Sequence, residues 1–388
     1  TTILTGVVLF LFGSGPVQGF AVTLIIGLLL SLFTSIFIAR LVFEWMLDKD
    51  FNITLGNKFT INAFQNLNID FMKLRKISYI LSGSIIAIGI ISLFIRGLDP
   101  SVEFTGGRTY IVRFEKPVIT EDIRASLTSP MQSAPEVKTF GAENQVKITT
   151  KYLIEDKSQQ ADSLVEIALY SGLKKYLPDS ISFETFSQQQ ENKQYGVMSA
   201  QKVDPTMSKD LVYQAFLAVL FGLIIIFIYI AIRFKNWKFG LGGVAALFHD
   251  TMIVITAFSL FYKILPFSLE VDQQFIAALL TIIGYSIMDT VIIFDRLREY
   301  RQLYPKRDLA TIINQAINST IGRTINTSGI TIVVLIIIFI FGGEILRGFI
   351  FALLIGVVVG TYSSVFIATP IAYDFIRILS RKKELSSK

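Results

Sequence analysis

The sequence has 388 residues, of which 52% are hydrophobic and 17% charged, and this composition excludes a soluble globular protein and indicates a membrane protein. It contains no cysteine and one histidine, His249, which excludes a disulfide scaffold and any metal site built from thiolates or several imidazoles. The net charge of +6 does not require a nucleic-acid partner, because membrane proteins concentrate Lys and Arg in their cytoplasmic loops.

Long apolar runs predict the membrane topology. A transmembrane helix needs about 20 apolar residues, and seven such runs follow an opening stub, TTILTGVVLFLF, that is too short to span. They lie at 20–43, 77–96, 211–232, 241–262, 273–295, 324–341 and 348–376. Because there is no initiator Met and the stub begins inside an apolar run, we expect the chain to be part of a longer protein.

Basic residues predict the orientation of these helices. Lys and Arg cluster in the segment 44–76, in the loop RFKNWKFG, after Asp295 and in the tail 380–388. Because successive spans cross the membrane in opposite directions, all four segments lie on the same side of it. The opposite connections, GSGPVQG, KILPFSLEVD and GGEILRG, are poor in them. Since positively charged loops stay in the cytoplasm, 44–76 and the tail are predicted to be cytoplasmic and the long insert 97–209 extracytoplasmic.

The insert has the composition of a soluble domain and a regular order of elements. TYIVRF (109–114) has strand character, and a helix is predicted to begin at Thr120. VKTF and QVKITT flank GAEN, which predicts a hairpin. A helical pattern follows at 158–177, and the alternation in ISFETFS predicts a last strand. The order βαββαβ predicts a ferredoxin-like unit.

An internal repeat links the two ends of the chain. GFAVTLIIGLLLSLFTSIFIA (19–39) recurs as GFIFALLIGVVVGTYSSVFIA (348–368), with identical residues paired at a constant shift of 329. Small residues recur in many helix interfaces, but identities in one register across a whole span favour duplication. Residues 1–43 are therefore predicted to be the end of an earlier, homologous half, and repeat-built membrane proteins place their working site between the repeats.

Asp289 lies inside an apolar run, six residues before Asp295 and thus about 9 Å from the cytoplasmic end of its helix. An ionised Asp in mid-membrane costs about 2.5 to 3.5 kcal/mol, so such groups face a bundle interior and find partners. Arg323 opens the next span, and Thr324, Thr327 and Ser328 supply hydroxyls beside it. We interpret Asp289 and Arg323 as a proton relay. The alternative is a fixed ion pair that only joins helices.

Two further ionisable residues, His249 and Asp250 of LFHD, lie midway along another span. For this pair, a role in helix packing or a secondary role is favoured over proton relay.

The insert is tethered to the membrane through RGLDPSVEFTGG and QKVDPTMSKD. Gly106 and Gly107 permit backbone angles that other residues resist, and Pro205 stiffens the second tether. These residues are candidate hinges, with a tight turn into a strand as the alternative reading.

Several of these segments together resemble a known family. GYSIMDTVIIFDRLRE, NSTIGRTINTSGITIVVL, FGGEILRGFIFALLIGVVVGTYSSVFIA, LFHD and VEFTGGRTYIVRF are similar to SecF, and the stub with its following helix is similar to the end of SecD. The chain thus resembles the C-terminal portion of a fused SecDF protein. The resemblance implies a helix bundle of the resistance-nodulation-division type, with a ferredoxin-like extracytoplasmic domain. Asp289 matches the family's proton-path Asp in GYSxxD, and Arg323 matches the Arg of RTxxTS.

The resemblance also implies a division of the chain. The expected parts are the last SecD-like helices (1–43), a cytoplasmic joiner (44–76), the first SecF-like helix (77–96), the extracytoplasmic domain (97–209), a five-helix bundle (210–379) and a cytoplasmic tail (380–388). Glu103 stands where the family usually has Asp, and Asp204 where it usually has Gly. These departures lie at the tethers and leave the proton path untouched.

The function implied by the resemblance is accessory to protein export. The expected protein sits in the bacterial inner membrane and uses the proton motive force to pull preproteins outward after SecA has pushed them into the SecYEG channel. YajC and membrane lipid are further expected partners, and nucleic acid is not. Protons are the expected coupling ion, with sodium as the alternative, and neither a cofactor nor enzyme activity is expected. A small-molecule or lipid exporter of the same superfamily and a static translocon scaffold are the competing functions.

Overall fold

The structure, a computed structural model, describes residues 2–13, 16–51, 53, 67–156, 158–190 and 193–386. Among them, seven helices are long and apolar enough to cross a membrane, which agrees with the prediction from sequence. A shorter apolar helix, α1 (Thr2–Phe12), precedes them. The chain is therefore a multi-pass helical membrane protein, with a small sheet inserted after the second span.

Two of the spans contain a short π-helical turn and the others are continuous. The first span consists of α2 (Pro16–Phe33), a π turn (Thr34–Ile38) and α3 (Ala39–Asp48). The continuous spans are α4 (Phe71–Ile95), α9 (Pro205–Arg233), α10 (Trp237–Phe261), α11 (Gln273–Leu303) and α12 (Leu309–Phe341). The last span consists of α13 (Glu344–Ser363), a π turn (Ser364–Ala368) and α14 (Thr369–Ser386).

The starts of several spans follow from capping side chains. An Asp or Asn before the helix accepts a hydrogen bond from a backbone N–H of the first turn, which satisfies a donor that the helix itself leaves free. The capping residues are Asp70 for α4, Asp204 for α9, Asn236 for α10, Asp272 for α11 and Asp308 for α12. Hydropathy alone places the starts of α4, α9, α10 and α12 too late, because these helices begin in polar turns, whereas it places the start of α11 correctly at Gln273.

The predicted cytoplasmic joiner 44–76 overlaps two helices. α3 continues to Asp48 and α4 already begins at Phe71. Residues 52 and 54–66 of the joiner lie outside the described residues. The predicted tail 380–388 begins within α14, and residues 387 and 388 lie outside the described residues.

The two copies of the sequence repeat share a structural irregularity. Each span changes from α-helix to a π turn over nearly the same repeat positions, Thr34–Ile38 in the first copy and Ser364–Ala368 in the second. Ser35 and Ser364 are equivalent under the shift of 329 residues. Since π turns are rare, their recurrence in one register supports the duplication.

α11 is the most buried of the spans. It contacts α1, α9, α10, α12 and α13. α13 approaches it closely through Gly356 and Gly360, where an added Cβ would lie 2.2 Å from Ile282 and 2.9 Å from Ser286. Small residues allow such close approach of membrane helices, and here they place the polar side chains of α11 inside the bundle.

The insert forms a ferredoxin-like domain, as predicted. Its strands are β1 (Gly107–Arg113), β2 (Glu136–Phe140), β3 (Ala142–Thr150) and β4 (Gly196–Val203), all antiparallel in the order β2-β3-β1-β4. The helices α6 (Thr120–Thr128) and α7 (Gln159–Leu173) supply the side chains that bury Val112, Val146 and Ile148. A short helix, α5 (Val102–Thr105), leads from the membrane into β1.

The predicted strand ISFETFS is wrong. It contains a short helix, α8 (Phe183–Ser187), and the last strand is β4 instead. The Ser182 hydroxyl caps the helix by accepting a hydrogen bond from the Thr185 N–H at 3.2 Å. Phe183 and Phe186 both pack on Tyr170, and their spacing of three residues suits one face of a helix. The apparent alternation therefore came from a capped helical turn.

Candidate functional site

Asp289 is buried at the centre of the bundle on α11. Its side chain is 1% exposed, and neither carboxylate oxygen has a hydrogen-bond partner among the described residues. Thr324 and Ser328 of α12 face it, and the Thr324 hydroxyl is likewise buried without a partner in the described part of the chain. An unsatisfied carboxylate at this depth is costly if it stays ionised.

Arg323 lies on the neighbouring helix α12, close enough to Asp289 to interact with it electrostatically. It is exposed at the surface of the described chain, and no salt bridge between Arg323 and Asp289 forms within the described residues. The fixed ion pair considered as an alternative is therefore not present in this conformation.

The hydroxyls predicted to support this pair differ in their contacts. Thr327 donates to the Arg323 carbonyl in its own helix at 2.9 Å. Ser328 is buried and accepts a hydrogen bond from Thr361 of α13 at 2.7 Å. Ser328 therefore joins α12 to α13 beside Asp289, whereas the Thr327 hydroxyl bonds to the backbone of its own helix.

His249 and Asp250 of α10 form a second buried group. The His249 Nδ1 lies 2.9 Å from Asp250 Oδ1. Asp250 Oδ2 accepts hydrogen bonds from Ser286 of α11 at 2.6 Å and from Ser363 of α13 at 2.8 Å. Asp250 is 0% exposed and, in contrast to Asp289, it is fully partnered. The group therefore connects α10 to α11 and α13.

Sequence reasoning missed the hydroxyls around Asp250. Thr290 donates to Ser364 at 2.9 Å, and Ser364 lies at the start of the second π turn. Ser and Thr are common in membrane helices, where they also bond to their own backbone, so the sequence alone does not mark these. The sequence does concentrate hydroxyl side chains in TYSS (361–364), in a different span from the only His-Asp pair of the chain, and this concentration was the signal that could have been used.

The hinge candidates lie in contact with one another. Gly106 and Gly107 have φ of +70° and +145°. An added Cβ on Gly106 would lie 3.0 Å from the Pro205 Cα, and one on Gly107 3.0 Å from the Thr150 carbonyl oxygen. Both tethers therefore meet in one joint at the base of the domain, where only glycine has the backbone freedom and small size required.

The two departures from the family pattern both have contacts at these tethers. Glu103 accepts hydrogen bonds from the Gln273 backbone N–H at 2.8 Å and from Gln201 at 3.2 Å. Asp204 accepts from the Thr206 N–H at 2.8 Å and caps α9. Glu103 thus connects the first tether to the start of α11.

An ionic cluster joins the sheet of the outer domain to the membrane bundle. Lys138 of β2 lies 2.6 Å from Asp99 and 3.7 Å from Glu270, and Lys147 of β3 lies 2.5 Å from Glu270. Glu270 belongs to the loop KILPFSLEVD between α10 and α11. These residues were not singled out from sequence, because their pairing depends on how the domain docks.

Beneath this cluster lies a cavity of about 220 Å³, lined in part by Asp272, Glu103 and Lys147. Asp272 lies just outside the membrane span and caps α11 through a 2.7 Å hydrogen bond from the Phe275 N–H. Burial raises the pKa of Asp272 to about 7, and the nearby carboxylate of Glu103 adds to the effect.

Comparison with known proteins places these features in a family. The family described as protein export membrane protein SecD/SecF, C-terminal, matches residues 1–49 and 183–377, and the SecD/SecF GG motif matches residues 91–118, which include Gly106 and Gly107. The protein translocase subunit SecF of Rhodothermus marinus is 40% identical over 84% of this chain and 99% of the relative. The chain belongs to the SecD/SecF family of protein-export membrane proteins.

Fused members of the SecD/SecF family extend further than this chain. The protein translocase subunit SecDF of Bacillus subtilis is 31% identical over 96% of the chain, but the chain spans only 49% of that relative. The crystal structure of SecDF from Thermus thermophilus, described as a translocon-associated membrane protein, matches with a TM-score of 0.79 and 28% identity. The match covers 97% of this chain and 47% of the chain in that crystal structure. The resemblance found in the sequence and the expected bundle with an inserted domain are thereby confirmed.

Proposed function

We propose that the chain uses the proton motive force across the bacterial inner membrane to promote preprotein export by the Sec translocase. Its relatives are named protein translocase subunits SecF and SecDF, which supports a role in protein translocation. The single observation that carries the energy coupling is Asp289, a carboxylate fully buried in the membrane bundle without a hydrogen-bond partner in the described chain.

A carboxylate in this position suits proton transfer better than helix joining. In its neutral form it needs little solvation, so the present conformation accommodates protonated Asp289. In its ionised form it requires donors, and Arg323, Thr324 and Ser328 lie on the adjacent helix to supply them after a small shift. Changing the protonation state therefore changes which arrangement of α11 and α12 is preferred.

The proposed setting follows from the same topology. Segments 44–76 and 380–388 face the cytoplasm, and the domain 97–209 lies outside, where it acts on preprotein that leaves SecYEG after SecA has driven its entry. YajC is a proposed companion subunit. The mechanism requires no bond-making step, cofactor or metal, and protons are the proposed coupling ion, with sodium as the alternative.

The test compares two carboxylates of the same helix in the full-length protein. Asp289→Asn keeps size and polarity but cannot release a proton. Asp295→Asn is the matched control, because Asp295 lies at the end of the span and pairs with Arg233 at 3.0 Å. Preprotein export into inverted membrane vesicles is measured with SecA and ATP, with and without a proton gradient or a sodium gradient.

We expect Asp289→Asn to abolish the gradient-stimulated part of export and leave the part driven by SecA and ATP unchanged. Asp295→Asn should keep most of the stimulation. Equal protein levels and equal elution on size exclusion establish that both variants fold. Full stimulation of the Asp289→Asn variant would refute the proposal, and stimulation by sodium alone would replace the proton with sodium.

A further inference from the structure

A chain of hydrogen bonds leads away from His249 along three helices. The His249 Nε2 lies 3.0 Å from the Ser82 hydroxyl of α4. Ser82 in turn lies 3.2 Å from the hydroxyl of Tyr362 on α13, which also reaches the Ser78 carbonyl at 3.4 Å. His249, Ser82 and Asp250 are all buried. Together with Asp250 these groups form an uninterrupted series from Tyr362 to the centre of the bundle.

The partners of His249 define the direction of the hydrogens. An ionised Asp250 accepts from the imidazole, so Nδ1 carries hydrogen and Nε2 is left to accept from Ser82. Ser82 then accepts from Tyr362, whose single hydrogen points to Ser82 at 3.2 Å in preference to the Ser78 carbonyl at 3.4 Å. The order of donation is therefore Tyr362 to Ser82, Ser82 to His249, and His249 to Asp250.

This order of donation allows the series to take up a proton, because each hydrogen can move from its donor to the acceptor that it already faces. The Ser82 hydrogen moves to Nε2, Ser82 takes the hydrogen of Tyr362, and Tyr362, which is only partly buried, takes one proton from water. The product is an imidazolium beside the Asp250 carboxylate, with both hydroxyls restored. The proton taken up is thus held as the second N–H of the imidazole, and no hydrogen is lost at any step.

The location of the series agrees with entry from one side of the membrane. Ser78 and Ser82 lie in the first half of α4, and Tyr79 donates to Asp374 of α14 at 3.1 Å. Arg75, one turn before Tyr79, lies 3.5 Å from the same carboxylate. These polar groups mark the end of the bundle where α4 begins and α14 continues, which is the predicted cytoplasmic side.

Joining helices does not by itself require these residue types. Ser92 of α4 and Ser259 of α10 already join the same two helices by a buried hydroxyl pair at 2.8 Å. A carboxylate next to an imidazole costs far more to bury than a hydroxyl pair does. Histidine is also the side chain whose ordinary charge change falls between about pH 5 and 8.

We propose that His249 and Asp250 form a second proton-carrying site, which is loaded from the cytoplasmic side through Tyr362 and Ser82. Proton uptake at this site is a property of the chain in lipid. It depends on the proposed export function only for the work that the proton performs.

Other ionisable groups surround the site and enter its titration. α10 packs against α4, α9, α11, α13 and α14. Tyr362 contacts the imidazole directly, with ring centroids 5.9 Å apart. Ionisable groups on these helices, in the bundle core and toward its cytoplasmic end, include Lys73, Arg75, Lys76 and Tyr79 on α4, Tyr229 and Arg233 on α9, Lys238 on α10, Tyr285, Asp289, Asp295 and Arg296 on α11, and Tyr373, Asp374 and Arg377 on α14.

The experiment uses the fact that His249 is the only histidine of the chain. The full chain is labelled with ¹⁵N-histidine and reconstituted in lipid, and the imidazole nitrogens are followed by solid-state NMR between about pH 5 and 9. We expect one titration from a neutral ring with hydrogen on Nδ1 to a doubly protonated ring. Asp250→Asn keeps the shape and one acceptor oxygen but removes the charge beside the imidazole, so its titration curve should differ from that of the wild type.

The route is tested by the rate at which the Nε2 hydrogen exchanges with water. Ser82→Ala removes the donor to Nε2 and should slow this exchange, whereas Ser92→Ala, its matched control on the same helix pair, should not. A ring that keeps one protonation state over the whole range would overturn the proposal. So would an Asp250→Asn titration identical to that of the wild type, or exchange that is equally fast in both serine variants. None of these measurements requires a gradient or preprotein, so normal export by Asp289→Asn would refute the proposed function and leave this site standing.

Discussion

The two buried carboxylates of the bundle differ in one physical respect, which is the number of donors around them. Asp250 accepts hydrogen bonds from two serines and lies beside His249, whereas Asp289 has no partner in the described chain. The apolar runs around them in the sequence were sufficient to single out both residues. The sequence did not indicate which of them is satisfied, because the donors come from helices distant in the chain.

The raised pKa of Asp272 predicts that the stability of the folded protein depends on pH. Burial raises its pKa to about 7, against about 4 in an unfolded chain. Between these values the folded state holds a proton that the unfolded state has lost, so the free energy of unfolding falls as pH rises from about 4 to 7 and then levels off. The change is at most about 4 kcal/mol, at 1.36 kcal/mol per pH unit.

Asp272→Asn should remove this dependence, because Asn stays neutral and still caps a helix. The variant is expected to unfold at a higher temperature than the wild type at pH 8 and at the same temperature near pH 4. Thermal unfolding of the purified protein in detergent measures both. Asp308→Asn, at the exposed cap of α12, is the matched control and should gain nothing at pH 8. An Asp272→Asn variant that is no more stable than the wild type at pH 8 would contradict the assignment.

At the scale of elements, the tethers of the outer domain form one compact joint and not two separate hinges. Gly106 packs on Pro205, and Glu103 bonds to the first residue of α11. The glycines were predicted from their type alone. Their contact with Pro205 was not, because about 100 residues separate them in the sequence.

Gly106→Ala should destabilise this joint. Its φ of +70° and ψ of 149° are costly for any other residue, by about 1 to 3 kcal/mol, and the new Cβ would press on the Pro205 backbone. Gly97→Ala is the control, because Gly97 has φ of +73° but open space around its Cβ position. We expect the Gly106 variant to unfold at a lower temperature and to be cleaved faster by protease at the tethers. Equal losses in both variants would show that the contact with Pro205 adds nothing.

Elements whose hydrophobic residues follow a single period were predicted well. Elements whose type or first residue depends on a capping side chain were predicted poorly. Seven spans and the order of the outer domain follow from apolar runs and strand alternation. ISFETFS failed because a serine cap and two phenylalanines in contact with Tyr170 make one helical turn. The π turn in each repeat copy has no signal in hydropathy, and it is recognisable only when the two copies are compared.

At the scale of the whole molecule, charged side chains form part of the contact between the outer domain and the bundle. Lys138 and Lys147 of the sheet meet Asp99 of the first tether and Glu270 of the loop before α11, and Leu98 and Phe104 add apolar contacts. The side chains of Asp99 and Glu270 are only 13% and 10% exposed, and Val271 exchanges backbone hydrogen bonds with Asp99 and Ser101, so this interface holds the domain in its present orientation. In the proposed mechanism, a movement of α11 on proton transfer would reach this contact through Asp272 and Glu270, which lie just before that helix.

If a moving outer domain pulls the preprotein, locking the contact between that domain and the bundle must stop gradient-stimulated export. Lys147→Cys with Glu270→Cys places two thiols in a chain that contains no other cysteine. The two side chains are in contact in the wild type, and a bifunctional methanethiosulfonate joins the two thiols by disulfide links that a reducing agent later removes. The crosslinked protein should lose gradient-stimulated export, keep the entry driven by SecA and ATP, and recover fully on reduction. Each single-cysteine variant treated with the same reagent controls for loss of the Lys147 to Glu270 contact. Undiminished stimulation in a sample shown by mass spectrometry to be crosslinked would refute a moving domain and leave Asp289 to act through the bundle alone.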